Sequence, residues 1–169
     1  ASKGNNALDW NTLNEGTPLF TSTEGEQGLR DPFIMRSHDG DTFYMLATDL
    51  KISGRKGSFS AAQYNGSLYI EVWESNDLVN WTNQRHIKVS DDSAGNTWAP
   101  EAYWDDELGE YVVYWASNLY DNDDSSTRTS PSYNRMMYVT TPDFITFSKP
   151  KTWIDVDRRG QAGAGSIDV

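Results

Sequence analysis

An all-β chain assembled from β-propeller blades is the fold this sequence predicts, and three observations predict it. Aromatic residues are abundant, with 7 Trp, 9 Tyr and 6 Phe in 169 residues. Aromatic and β-branched residues fall in short runs at Thr42–Thr48, Leu68–Trp73, Tyr111–Ala116 and Arg135–Thr140, each bounded by Gly, Asp, Asn or Ser. Such side chains pack well on a pleated surface, whereas apolar residues rarely recur here at the i, i+3, i+4 spacing of a helix. The third observation is an internal repeat.

Pro32 and Pro100 lie 68 residues apart, and the strand Phe43–Asp49 precedes its counterpart Tyr111–Ser117 by the same 68. Each of these strands follows an acidic glycine turn, Asp39-Gly40-Asp41 in the first copy and Leu108-Gly109-Glu110 in the second. Later in each unit, Ser75–Thr82 resembles Thr141–Ser148 at an offset of 66. A period of 66–69 residues carrying about four short strands reads as one long propeller blade. A single blade cannot bury both of its faces and must stack on neighbours around an axis. The expected units are blade 1 at about 25–90, blade 2 at about 91–158 and the start of blade 3 at about 159–169, or about two and a half blades. Closure takes at least four blades. The remaining part of the propeller, as a separate or continuing chain, is therefore an expected partner. The Gly/Ser/Asp-rich stretches 51–66 and 118–134 read as inter-strand loops.

Charge narrows the function classes. Lys and Arg number 14 against 25 Asp and Glu, a net −11. Nucleic acid and anionic membrane both demand basic patches, so neither is expected as a partner, whereas a neutral polysaccharide is compatible. Aromatic faces suit sugar rings, although most of the rings are expected in the core. With no cysteine there is no disulfide and no thiol nucleophile. No stretch reaches the roughly 18 apolar residues of a membrane helix. The opening Ala1-Ser2-Lys3-Gly4 reads as a mature terminus after processing. Asn65-Gly66-Ser67 and Asn80-Trp81-Thr82 fit the N-glycosylation pattern. A secreted, extracellular location is the expectation.

The repeat register points to a site. Asp31, Ala99 and Asp168 are spaced by 68 and 69 residues. The innermost strand of each blade lines the central channel, so equivalent positions converge at one end of the axis. Asp31 and Asp168 could thus face one shared pocket, the paired-carboxylate arrangement that glycoside hydrolysis needs. An ionised carboxylate would activate a water, a protonated group would donate to the leaving oxygen, and a third carboxylate could tune that acid by like-charge proximity.

Leu29-Arg30-Asp31-Pro32-Phe33-Ile34, Ser75–Trp81, Trp98-Ala99-Pro100-Glu101 and Ser166-Ile167-Asp168 together resemble glycoside hydrolase family 43 in order and spacing, over essentially the whole chain. The resemblance implies a five-bladed β-propeller and an inverting mechanism. It implies Asp31 as general base and Asp168 as the aspartate that modulates the acid's pKa. The general acid, a Glu, would lie beyond this chain. Within the family the motifs most resemble arabinose-releasing members, which implies an α-L-arabinofuranosidase acting on arabinan or arabinoxylan side chains of plant cell walls. A β-xylosidase, an endo-arabinanase or a galactanase stays open. No cofactor is implied.

Glu101 follows Trp-Ala-Pro and is a candidate for touching substrate, or for a substitute proton donor. Trp98 suits either a sugar-stacking platform or the core, and Arg30 could orient or pair with Asp31. His38 and His86 look isolated and read as loop or surface residues, so no metal is expected on them. The loop from Asp121 lacks the glycine and glutamate of a calcium-binding EF-hand, with Ser126 and Ser132 in their places, and reads as a solvated acidic loop. A non-catalytic carbohydrate-binding propeller is the rival from another class; it would have no use for converging carboxylates.

Overall fold

The computed structural model describes residues 2–54 and 59–156, so Asp168 and the expected start of the third unit lie outside the described residues. Strands β1 (Ser2–Lys3) and β2 (Asn6–Trp10) form a small ribbon. A four-stranded sheet follows, with β3 (Leu29–Arg36), β4 (Phe43–Asp49), β5 (Tyr69–Ser75) and β6 (Arg85–Lys88); helix α1 (Phe59–Tyr64) interrupts the β4–β5 connection. A second four-stranded sheet holds β7 (Trp98–Asp105), β8 (Glu110–Asn118), β9 (Asn134–Thr141) and β10 (Lys151–Ile154). In both sheets each strand pairs antiparallel with the next in sequence. The all-β expectation holds for the described residues. Helix α1 corrects the loop reading of 51–66; at six residues it is too short to leave a periodic signal.

The repeat is reproduced in individual hydrogen bonds. Asp77 Oδ1 accepts from the N–H groups of Val79 (2.8 Å) and Asn80 (2.7 Å), and Ser75 Oγ accepts from Leu78 N–H (2.8 Å). In the second sheet Asp143 Oδ1 accepts from Ile145 (2.9 Å) and Thr146 (2.8 Å), and Thr141 Oγ1 accepts from Phe144 N–H (2.8 Å). Leu78 and Phe144 share a left-handed φ of 62° and 53°. A short acidic side chain that captures backbone N–H groups two and three residues on is what makes this turn from Ser/Thr-x-Asp.

Those donors have a consequence in acid. The N–H groups of Asn80 and Val79 hold the Asp77 carboxyl well below its ordinary value of 3.8, and those of Thr146 and Ile145 lower Asp143. A folded pKa below the unfolded one adds stability that is complete above the unfolded value and is lost progressively as pH falls from there through the folded one. The thermal midpoint should therefore be lost as pH drops below about 4, and Asp77→Asn with Asp143→Asn should flatten that fall. An unchanged slope in the double variant, followed by scanning calorimetry from pH 7 to 2.5, would remove these loops from the account.

The sheets stack face to face. Leu46, Ile70 and Val72 of the first meet Tyr111, Val113, Met137, Val139 and Phe144 of the second in one buried cluster. Fully burying an aliphatic side chain such as Leu46 or Val113 contributes about 1.5–3 kcal/mol. The far face of the first sheet is covered by the N-terminal segment, where Phe20 stacks on Trp73 at 4.7 Å. The far face of the second sheet carries a groove of about 600 Å³, lined by Tyr103, Val112, Tyr114, Tyr138 and Trp153 among others.

Candidate active site around Asp31

The edge strands β3 and β7 carry the same irregularity. The ladder to the neighbouring strand skips between Arg30 and Phe33 in one and between Trp98 and Glu101 in the other. Pro32 and Pro100 fall inside these skips, where a residue without an N–H costs no ladder bond. Asp31 and Ala99 each take φ 50°, a left-handed conformation uncommon outside glycine. Bulges of this kind re-aim the side chain they contain. The two positions 68 residues apart thus share one backbone conformation, which the sequence does not state.

Asp31 is exposed, and its Oδ2 accepts a hydrogen bond from Thr48 Oγ1 at 2.9 Å. Thr48 is wholly buried, and its Oγ1 in turn accepts from the Ala99 N–H at 2.8 Å. The carboxylate is therefore tied through one hydroxyl to the bulge of the other sheet. The Arg30 guanidinium lies 5.0 Å over the Phe59 ring, and Phe59 meets the Trp98 ring edge-on at 6.4 Å. Arg30 and Asp31 at the start of β3 and Trp98 at the start of β7 are so brought together, with Phe59 between the cation and the indole. Arg30 was expected to orient or pair with Asp31; the contacts described are to Phe59 for Arg30 and to Thr48 for Asp31. Trp98 is half-buried and stands outside both buried clusters.

Glu101 is drawn elsewhere. Its Oε2 accepts from Tyr114 OH at 2.9 Å, opposite it in the β7–β8 ladder. Tyr114 lines the groove on the far face of the second sheet. Burial, followed by the Glu101 carboxylate, pushes the Tyr114 hydroxyl up to about 12. Asp168 lies outside the described residues.

Two neighbours of Asp31 and Trp98 escape a sequence reading. Thr48 is one threonine in an aromatic run, and nothing local separates it from a core residue. Phe59 belongs to α1, inside a stretch whose composition reads as loop. The outer face of the first sheet corrects a third point. His86 is not an isolated surface residue: it sits on β6, its ring stacks on Tyr69 at 4.0 Å, and its Nδ1 lies 2.5 Å from Glu71 Oε1. Asp49, Glu71 and His86 gather potential metal-ligand atoms within 4.8 Å of one another. Both oxygens of each carboxylate already have protein partners. Asp49 accepts from Glu26 N–H and Ser67 Oγ, both at 2.7 Å, and Glu71 Oε2 accepts from Gln84 Nε2 at 2.5 Å. Gly25 packs so closely on Asp49 and His86 that a side chain there would collide with both. The group fits a latch that holds residues 23–26 to the sheet, and burial pushes the Glu71 carboxyl up within it. His38, by contrast, stays exposed in the β3–β4 turn, stacked on Trp104 at 4.4 Å.

Comparison with known proteins gives this geometry a context. An α-L-arabinofuranosidase of Bifidobacterium longum subsp. longum is 40% identical over 169 residues, covering 92% of this chain and 15% of that protein. The chain thus spans 15% of the length of the curated relative. Among solved structures, an α-L-arabinofuranosidase of Podospora anserina in complex with cellotriose is 16% identical over 80% of this chain and 36% of its own, with a TM-score of 0.47. An N-acetylgalactosamine deacetylase of F. plautii, solved with blood group B trisaccharide, is 16% identical over 72% of this chain and 30% of its own, at 0.46. The model of a family described as a probable glycosyl hydrolase domain, related to glycoside hydrolase family 43, matches residues 1–169. With residues 1–169 matched, this chain belongs to that family of glycosyl hydrolase domains.

Proposed function

We propose that the protein carrying this chain is an inverting α-L-arabinofuranosidase, acting on arabinan or arabinoxylan side chains outside the cell. The 40% identity to the bifidobacterial α-L-arabinofuranosidase carries the choice of sugar. Asp31 is the general base. It takes a proton from water as that oxygen attacks the anomeric carbon, while the glycosidic C–O bond breaks and the leaving oxygen takes a proton from a glutamic acid beyond this chain. Asp168 keeps that acid protonated until it is needed. The two catalytic carboxyls stand about 6.5–9.5 Å apart, which leaves room for the water. Trp98 and Phe59 offer ring faces to the sugar and Arg30 borders them, whereas Glu101, expected to touch substrate, is bonded to Tyr114 on the far face.

The ring is a five-bladed propeller to which this chain contributes two blades and the start of a third. The open aromatic face of the second sheet, with Tyr103 62% and Trp153 56% exposed, supports stacking of a further blade there. The remaining part of the propeller, as a separate or continuing chain, supplies that blade and the general acid.

The test is a panel of p-nitrophenyl glycosides given to the complete polypeptide. The highest kcat/KM is expected on the α-L-arabinofuranoside, about 10²-fold or more above the β-D-xyloside and β-D-galactoside. Preference for the xyloside or galactoside moves the assignment to the corresponding relative of the same fold. Binding of arabino-oligosaccharide with no turnover supports the non-catalytic propeller instead.

A further inference from the structure

We infer that Thr48 is a positioning residue that aims the Asp31 carboxylate, an inference that rests on the reading of Asp31 as base. The argument begins with one hydrogen. The Ala99 amide can only donate, so the Thr48 hydroxyl oxygen accepts there at 2.8 Å. Its single hydrogen then goes to Asp31 Oδ2, at 2.9 Å. This chain of bonds is satisfied with Oδ2 as an acceptor, the form a base must have before it receives the proton of water. A buried β-branched side chain is stiff about χ1, so the hydroxyl cannot follow a wandering carboxylate. Asp31 sits in a left-handed bulge on an exposed edge. Thr48 is the described group that couples that bulge to the rigid core.

The repeat supplies an independent observation. Arg30 pairs with Thr48 in the first sheet, and Trp98 pairs with Ala116 in the second, so Thr48 and Ala116 hold equivalent ladder positions. Asp31 has Ala99 as its own counterpart. The carboxylate and the hydroxyl occur together in one repeat and are replaced by alanine together in the other. A hydroxyl needed only to build the sheet would be wanted in both.

The experiment measures Thr48→Val, Thr48→Ser and Asp31→Asn in the complete polypeptide, with kcat, KM and the pH profile on the α-L-arabinofuranoside. Thr48→Val should lower kcat about 10- to 100-fold with KM within about threefold, because a charge-assisted bond that fixes the attacking geometry is lost. Removing a donor to a carboxylate favours its protonated form, so the acid limb of the profile should also move to higher pH. Thr48→Ser, which keeps the hydroxyl, should restore both. A merely structural role would lower thermal stability and leave the acid limb in place, and that outcome overturns the inference. Should Thr48→Val not fold, Thr48→Ala is read by the same assays. An inactive Asp31→Asn beside a Thr48→Val of unchanged kcat and pH profile overturns the role of Thr48 and leaves the base intact. An active Asp31→Asn removes the base reading and Thr48 with it.

Discussion

Phe144→Ala is expected to lower the unfolding free energy by about 3–5 kcal/mol. The ring is fully buried, 4.2 Å from Tyr44 in the first sheet and 4.8 Å from Tyr111 in the second. Truncation loses the transfer free energy of the ring and leaves a cavity between two sheets that are each fixed by their own ladders, so the void has little chance to collapse. The left-handed φ of 53° is borne by Phe and Ala alike, so backbone strain does not offset the loss. Leu78 provides the control. It holds the equivalent turn position in the first sheet but is 42% exposed. Leu78→Ala should cost no more than about 1 kcal/mol. Urea unfolding of both variants checks the pair. Equal costs would mean that the two sheets do not share the interface described.

The contrast between Leu78 and Phe144 shows how far the sequence could be read. The repeat was legible because its turn chemistry is local: Ser75 and Asp77, then Thr141 and Asp143, capture backbone donors within three residues. The strands were legible for the same reason, since alternation and bounding turns are short-range signals. Which copy of the turn would be buried was not, because burial depends on which sheet stacks against it. The site divides along the same line. Asp31 could be picked out from register, and its proline from the repeat, but the bulge that turns both to one side is a property of pairing with β4. Thr48 reaches Ala99 across 51 residues of sequence, and Phe59 reaches Trp98 from a helix too short to announce itself. The sequence reading of His86 failed for a related reason. Its partner Glu71 lies directly across the β5–β6 ladder, and such pairs appear only once the register is known.

Asp31→Asn is the second large effect, and it bears on the central claim. Asparagine keeps the size of the side chain, and its carbonyl can still accept from Thr48 Oγ1, so the fold and the bulge should be retained. An amide cannot take a proton from water. General base catalysis is worth about 10²–10⁴ in rate, and a loss of that size is expected in kcat, with KM little changed. The effect should be similar for aryl and natural arabinofuranosides, because the lost step is the activation of water and not departure of the leaving group. The measurement to make is therefore kcat of Asp31→Asn on p-nitrophenyl α-L-arabinofuranoside, in the complete polypeptide, beside its thermal midpoint. A fall of at least about 10²-fold with the midpoint of the wild type is the predicted result. A kcat within about tenfold of wild type would contradict the assignment of Asp31 as the base.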